Sequence, residues 1–421
     1  DNEGAMADKP RAIIIGGSIG GLFSACLLRD AGWQTDVYER SGRDLAGRGT
    51  GIAISRELME VLDRIGVRLD ISQIRPAKFL SWIGAEGEVK FEVPRRLVGT
   101  AWAQVWRPLR MSYADENYHR GKIFTQFEQT EDSVTAFFED GSSETGDILI
   151  AADGGQSAIR TQAFPAIDPN YASYIAWRGV VDDTHLPATL YDMVFERMIF
   201  SFEDGELALF MHVPSLGDDD AGRNRRYYFI WYAPVTEDER RQLFRGTDGK
   251  DYGTAIPPPL IQPNLVEAMK VRAADIFNPN LAAIIRHTEE PLIQAISDLT
   301  SEQLVQGRIA VLGDAAFVAR PHVIGGITKA ALDAQYLADA LEAATGDIIS
   351  GLANFNNAQL ALGKYLVGHA RNLGIYVDNK YAPRTLSEEA RAFLEPAHVI
   401  RQYGAPEVLH EPDLSFFKIR N

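Results

Sequence analysis

A single cysteine, Cys26, stands among 421 residues, which excludes an internal disulfide. It falls in the apolar pattern after a glycine-rich turn, where a buried structural thiol is expected rather than a nucleophile, and a reducing cytoplasmic setting fits. Positive charge is the next shortage. The 42 Lys and Arg against 58 Asp and Glu leave a formal net charge of -16, which argues against nucleic acid or an anionic membrane surface as partner. No apolar run approaches the roughly 20 residues of a membrane span, and no basic start leads into an apolar signal core. The acidic run 218–220 has no His or Glu at ligand spacing, so a solvated turn is expected there and no metal. Residues 1–5 before Met6 read as an appended segment and are set aside. A small-molecule partner is left as the default.

What is present is ordinary in bulk and specific in pattern. Hydrophobic residues make up 46% and charged ones 24%, enough for a large core in two closely joined domains. Residues 11–15 read as a buried strand, 20–31 as a helix and 35–39 as a second strand, a βαβ unit around Gly16-Gly17-Ser18-Ile19-Gly20-Gly21. Gly16 allows the tight turn, Gly21 lets helix and strand pack closely, and the helix N-terminus can face a pyrophosphate. Ser18 replaces the middle glycine of the usual pattern. Glu39 ends the second strand where an acid can bind a ribose, with Arg40 beside it. Two further pieces follow: Ala151-Ala152-Asp153-Gly154 with Ser157 and Arg160, then an apolar strand ending in Gly313-Asp314, with Pro321-His322 and Gly325-Gly326 before a helix-like segment. Segments 78–94 and 174–235 are rich in aromatic and β-branched residues and suggest an inserted antiparallel sheet. From Ala330 onward, apolar residues recur at helical spacing.

This ordered triplet resembles the single-component FAD-dependent aromatic hydroxylases of the 4-hydroxybenzoate hydroxylase type, over roughly residues 9–375. The resemblance implies a mixed α/β fold. Its FAD-binding domain is expected at 9–75, 101–168 and 303–375, a substrate domain with an antiparallel sheet at 76–100 and 169–302, and a helical C-terminal region at 376–421. It implies FAD held by Gly16, Ser18 and Gly21 at the diphosphate, Glu39 at the adenosine ribose, and Gly313 and Asp314 at the ribityl chain. Asp153 would lie near flavin and nicotinamide, Arg107 beside the adenosine half, and Gly325 and Gly326 near the flavin. Arg48 lies either in the loop that passes the flavin or on an exposed loop. Only one dinucleotide-binding unit is visible, so NADH or NADPH is expected as a transient co-substrate. In this family the reduced flavin adds O2 at C4a, and the distal oxygen of the hydroperoxide attacks an electron-rich ring. No Trp-x-Trp-x-Ile-Pro string occurs, which weighs against a flavin halogenase.

The run from Tyr171 to Val180, with Ala319-Arg320-Pro321-His322 and the Gly325-Gly326 pair, is similar to the branch that contains 2,6-dihydroxypyridine 3-hydroxylase. The expected reaction is hydroxylation of a hydroxypyridine or phenol, the partners being a small aromatic substrate and O2, with a homodimer left open. Oxidative decarboxylation of a hydroxybenzoate, an FAD-dependent oxidase or dehydrogenase, and a non-catalytic FAD binder are the alternatives. Pro321 would lie against the flavin. His322, titrating near neutral pH, could orient or deprotonate a substrate hydroxyl, or simply satisfy loop carbonyls. Tyr232 and His212 could roof the pocket from sheet strands or serve ordinary packing. Arg178 is expected to pair across the domain seam rather than clamp substrate.

Overall fold

The computed structural model describes residues 9–46, 51–70, 76–182, 186–213, 226–381, 383 and 385–412. β1 (Arg11–Ile15) carries four consecutive buried apolar residues, as a strand covered on both faces requires. It pairs in parallel with β2 (Gln34–Glu39) on one side and with Ile148–Ala151 on the other. The six-stranded sheet continues through Ile309–Val311 to Val305–Gln306 at one edge and ends at Tyr118–Arg120 at the other. The helix α1 (Ile19–Asp30) follows β1 and packs on the long helix Gly326–Ala343. These bounds lie within a residue of those read from the sequence.

The second sheet has eight strands in the order Leu292–Asp298, Asn170–Asp182, Arg226–Pro234, Glu206–Val213, Arg197–Glu203, Ala77–Ile83, Val89–Ala101 and Gly51–Ile54. One pairing departs from the expected antiparallel pattern. Arg197–Glu203 runs parallel to Ala77–Ile83, because these strands come from distant segments with no hairpin to reverse the chain. Alternation along the strands sorts the side chains by face. Trp177, Phe229, Trp231 and Phe210 pack beneath the helices Pro263–Ile276 and Pro279–Arg286. Tyr174, Ala176, Tyr228, Ile230 and Tyr232 point the other way, toward Val323 and the C-terminal helices. The segment expected to be helical forms Ile375–Asp378, Glu388–Arg391 and Pro396–Gln402, and these close over that face. The acidic run 218–220 lies outside the described residues. Among the described residues no helix is long and apolar enough to cross a membrane.

Candidate active site

The βαβ turn is shaped by crowding. Gly16 has φ +112, and a Cβ there would strike the carbonyl oxygen of Ala152, while a Cβ on Gly21 would strike the carbonyl oxygen of Gly16. The N–H of Gly17 donates to Glu39 Oε2 at 2.8 Å, and its carbonyl accepts from Trp106 Nε1 at 3.1 Å and Tyr118 Oη at 3.0 Å. Buried Glu39 also accepts from the N–H of Ser41 at 2.8 Å, so the acid at the end of β2 is fixed beside the turn. Ser18 is the N-cap of α1, and its side chain makes no capping bond. Arg40 is exposed next to Glu39. Arg107, expected beside the adenosine half, is an exposed residue inside the helix Trp102–Met111, whose Val105, Trp106 and Leu109 bury the opposite face. Arg48 lies outside the described residues.

The second motif does structural work. Asp153 Oδ2 accepts from the N–H of Ala158 at 2.9 Å, at the start of the helix Ala158–Ala163, and Asp153 does not border the main cavity. Burial raises its carboxyl above the usual range. Arg160 reaches across to donate to the carbonyl of Ala315 at 3.0 Å and to that of Gly155 at 2.7 Å, tying this motif to the third. There Gly313, at φ +59, donates to Asp333 Oδ2 at 2.8 Å and accepts from Lys329 Nζ at 3.2 Å. Lys329 and Asp333 form a buried ion pair at 2.5 Å. This anchorage leaves Asp314 turned into the cavity. Its side chain is accessible from the cavity, and desolvation by the surrounding walls raises its carboxyl, against the pull of Lys329. Gly325 caps the helix Gly326–Ala343, and both glycines border the same cavity.

That cavity has a volume of about 500 Å³ and lies between the Asp314 loop and the sheet. The sheet contributes Arg178, Tyr228, Ile230 and Tyr232, and the C-terminal segment contributes Tyr403. Burial pushes the Tyr232 and Tyr403 hydroxyls above the ordinary tyrosine range. Pro321 and His212 border the cavity, but the His212 ring stands edge-on to Tyr227, 6.0 Å away on the far face of the sheet. Ile324 adopts φ +46, an uncommon conformation for a β-branched residue, where the chain turns into the glycine pair.

His322 departs from the expectation of a group titrating near neutral pH. It is fully buried behind Pro321, with its ring 4.3 Å from that of Tyr232. Its Nε2 lies 2.8 Å from Tyr174 Oη, which also accepts from Arg320 Nη1 at 3.4 Å. Its Nδ1 is buried without a hydrogen-bond partner among the described residues. Desolvation, then the positive charges of Arg320 and Arg178, lower its pKa to about 3. Arg320 is itself held by Asp298 at 2.8 Å and Asp378 at 3.2 Å. Arg178 corrects a second expectation. Among the described residues it forms no ion pair across the seam, and its buried Nε has no hydrogen-bond partner. The sequence reading also missed Tyr174 and Tyr403. Alternation in Tyr174-Ile175-Ala176-Trp177-Arg178 could have put Tyr174 and Arg178 on one face, whereas nothing local marks Tyr403.

The donor set suits FAD. The open N-terminus of α1 can take a diphosphate, Glu39 stands at the end of β2, and Asp314 and a second helix N-terminus open on the same cavity. A protein-family model described as FAD binding domain-like matches residues 171–298. The 2,6-dihydroxypyridine 3-monooxygenase of Paenarthrobacter nicotinovorans is 30% identical over 356 residues, covering 84% of this chain and 88% of that protein. The structure of 2,6-dihydroxypyridine-3-hydroxylase from Arthrobacter nicotinovorans superposes with a TM-score of 0.82 at 27% identity, over 91% of this chain and 96% of that one. That of Klebsiella pneumoniae HpxO complexed with FAD and uric acid gives 0.72 at 22% identity, over 94% of both chains, a likeness of fold. With this shared length, fold and cofactor cradle, the chain belongs to the family of FAD-dependent aromatic monooxygenases.

Proposed function

We propose that this enzyme uses NADH or NADPH and O2 to hydroxylate a hydroxylated N-heteroaromatic or phenolic ring of the hydroxypyridine type. The observation that carries the reading is the single cavity of about 500 Å³ that joins Asp314, Gly325 and Gly326 on one wall to Arg178, Tyr232 and Tyr403 on the other. In this reading the chain divides into a discontinuous FAD-binding part (9–75, 101–168, 303–375), a substrate part (76–100, 169–302) and a C-terminal part (376–421) that completes the pocket. A cytoplasmic setting is supported by the lone buried thiol of Cys26.

Gly16, Ser18 and Gly21 would hold the FAD diphosphate, Glu39 the ribose and Asp314 the ribityl chain. When bound, FAD accepts the hydride and activates oxygen. The chain's own residues shape what meets it. Met198, Met211, Ile230 and Val323 make much of the wall apolar, which excludes water from the reacting ring. Tyr232 and Tyr403 stay protonated at neutral pH and so orient a substrate oxygen by hydrogen bonding rather than by taking its proton. His322 is a positioning residue. As a neutral imidazole it fixes the Tyr174 hydroxyl and supports the Tyr232 ring.

A panel of hydroxypyridines, hydroxynicotinates, hydroxybenzoates and phenols, scored for NAD(P)H oxidation, hydroxylated product and peroxide, tests the reading. At least one hydroxylated ring should yield product and accelerate flavin reduction in stopped-flow measurements. Peroxide without ring product for every compound would replace the monooxygenase reading with an oxidase.

A further inference from the structure

The charged residues that border the cavity are nearly all accounted for. Lys78 pairs with Glu196 at 2.5 Å, Arg197 with Glu92 at 2.9 Å, and Arg320 with Asp298 and Asp378. Asp314 faces Lys329. Arg178 remains. Among the described residues it is the one cavity cation without an ion pair, and its Nε is buried without a hydrogen-bond partner. A guanidinium that opens on a cavity without a counter-charge is stabilised by any anion that completes its fork of donors.

Its placement is set by the sheet. Arg178 lies opposite Ile230 and between that strand and Leu292, while Ala176 lies opposite Tyr232. Arg178 and Tyr232 are therefore diagonal neighbours on one face, about 7–8 Å apart at the backbone. That spacing lets one six-membered ring touch both side chains at once. The Tyr232 and Tyr403 hydroxyls meet one edge of such a ring, and the guanidinium meets another.

We infer that Arg178 is the anion anchor of this site, gripping a negatively charged oxygen on the ring so that the enzyme selects substrates carrying an ionised hydroxyl or a carboxylate. The inference rests on the ring-hydroxylase reading above and adds the charge state that the site accepts. It also suits the chemistry, because an ionised hydroxyl donates electron density into the ring that an electrophilic oxygen attacks. The neutral His322 and the protonated tyrosines supply no competing negative charge on that wall.

The test uses the FAD-loaded enzyme and its Arg178→Gln and Arg178→Lys variants. Binding of 2,6-dihydroxypyridine (ionisable hydroxyls), 6-hydroxynicotinate (ring carboxylate) and 2,6-dimethoxypyridine (neutral) is followed by the change in flavin absorbance. Arg178→Gln should weaken the two anionic rings by about tenfold or more while changing the neutral ring less than about twofold. Arg178→Lys should fall between, because it keeps the charge and loses the fork. A bound hydroxypyridine should show the spectrum of its anion below its solution pKa in the wild type and not in Arg178→Gln. The hydroxyl and carboxylate arms tell which anion is preferred. Equal loss for charged and neutral rings, or unchanged binding of the anions, overturns the anchor while leaving hydroxylation intact. If Arg178→Gln fails to retain FAD, the charged-to-neutral ratio in Arg178→Lys decides by the same criterion. If none of these rings perturbs the wild-type flavin and none from the wider panel is hydroxylated, the ring-hydroxylase reading falls and the anchor with it.

Discussion

The glycine turn with the Asp314 loop and the sheet wall of the cavity are built differently. In the first, backbone is brought close by missing side chains, as at Gly16 and Gly21, and Asp314 is aimed by its neighbour Gly313, whose amide is held by Asp333. On the sheet wall the chemistry lies in side chains. Arg178, Tyr232 and Tyr403 come from three distant segments, aligned by strand register and by the packing of the C-terminal helices. The first kind of site tolerates almost no added atom. The second can change specificity one side chain at a time without disturbing the cradle, so a single cofactor fold can serve many rings.

The most severe way to break the glycine turn is Gly16→Ala. The new Cβ must displace the Ala152 backbone while the residue holds φ +112, so a loss of about 3 kcal/mol or more in stability is expected. The variant should purify without yellow colour, and its melting temperature and flavin content check this. Asp314→Ala removes one carboxylate and leaves the glycine geometry alone. FAD should bind about 1.5–3 kcal/mol more weakly, read by titration of the apoprotein, and unchanged affinity would remove Asp314 from the cofactor site.

His322→Gln probes the sheet wall. The buried imidazole is neutral in the fold, with a pKa of about 3, and titrates near 6.5 when unfolded. The unfolded state thus binds the extra proton between those values, and the His322 contribution to stability, intact above about pH 6.5, declines as pH falls toward 3. In His322→Gln the acid limb of denaturant stability between pH 6.5 and 3 should flatten, and coupling of NAD(P)H oxidation to product should change without a new pKa near 7. A pKa near 7 in the wild-type rate profile that vanishes in the variant would restore His322 as a proton acceptor. The smallest effect belongs to Tyr118→Phe. Trp106 Nε1 still donates to the Gly17 carbonyl at 3.1 Å, so a loss of about 0.5–1.5 kcal/mol in stability is expected, with FAD retained. Complete loss of FAD in this variant would mean that the turn depends on both donors.

The sequence by itself determined the cofactor half. A strand, a glycine turn and a helix within 20 or so residues must form a βαβ unit, and the steric need for Gly16 and Gly21 and the place of Glu39 follow from chain geometry alone. The Gly313-Asp314 turn and the Gly325-Gly326 start of a helix were legible for the same reason. Only the tertiary structure decided the rest. His322 looked like a titrating base because it directly follows Pro321, expected against the flavin, and an imidazole ordinarily titrates near neutral pH, yet Tyr174, Tyr232 and Arg320 enclose it and keep it neutral. Arg178 looked like a seam residue, and only strand register and the pairing of the other cations show it unpaired in the cavity. Tyr403 gave no sign at all, because its role depends on where the C-terminal helices pack. Local sterics act over a few residues and can be read along the chain, whereas burial, charge pairing and the meeting of distant side chains are set by packing that no short stretch of sequence contains.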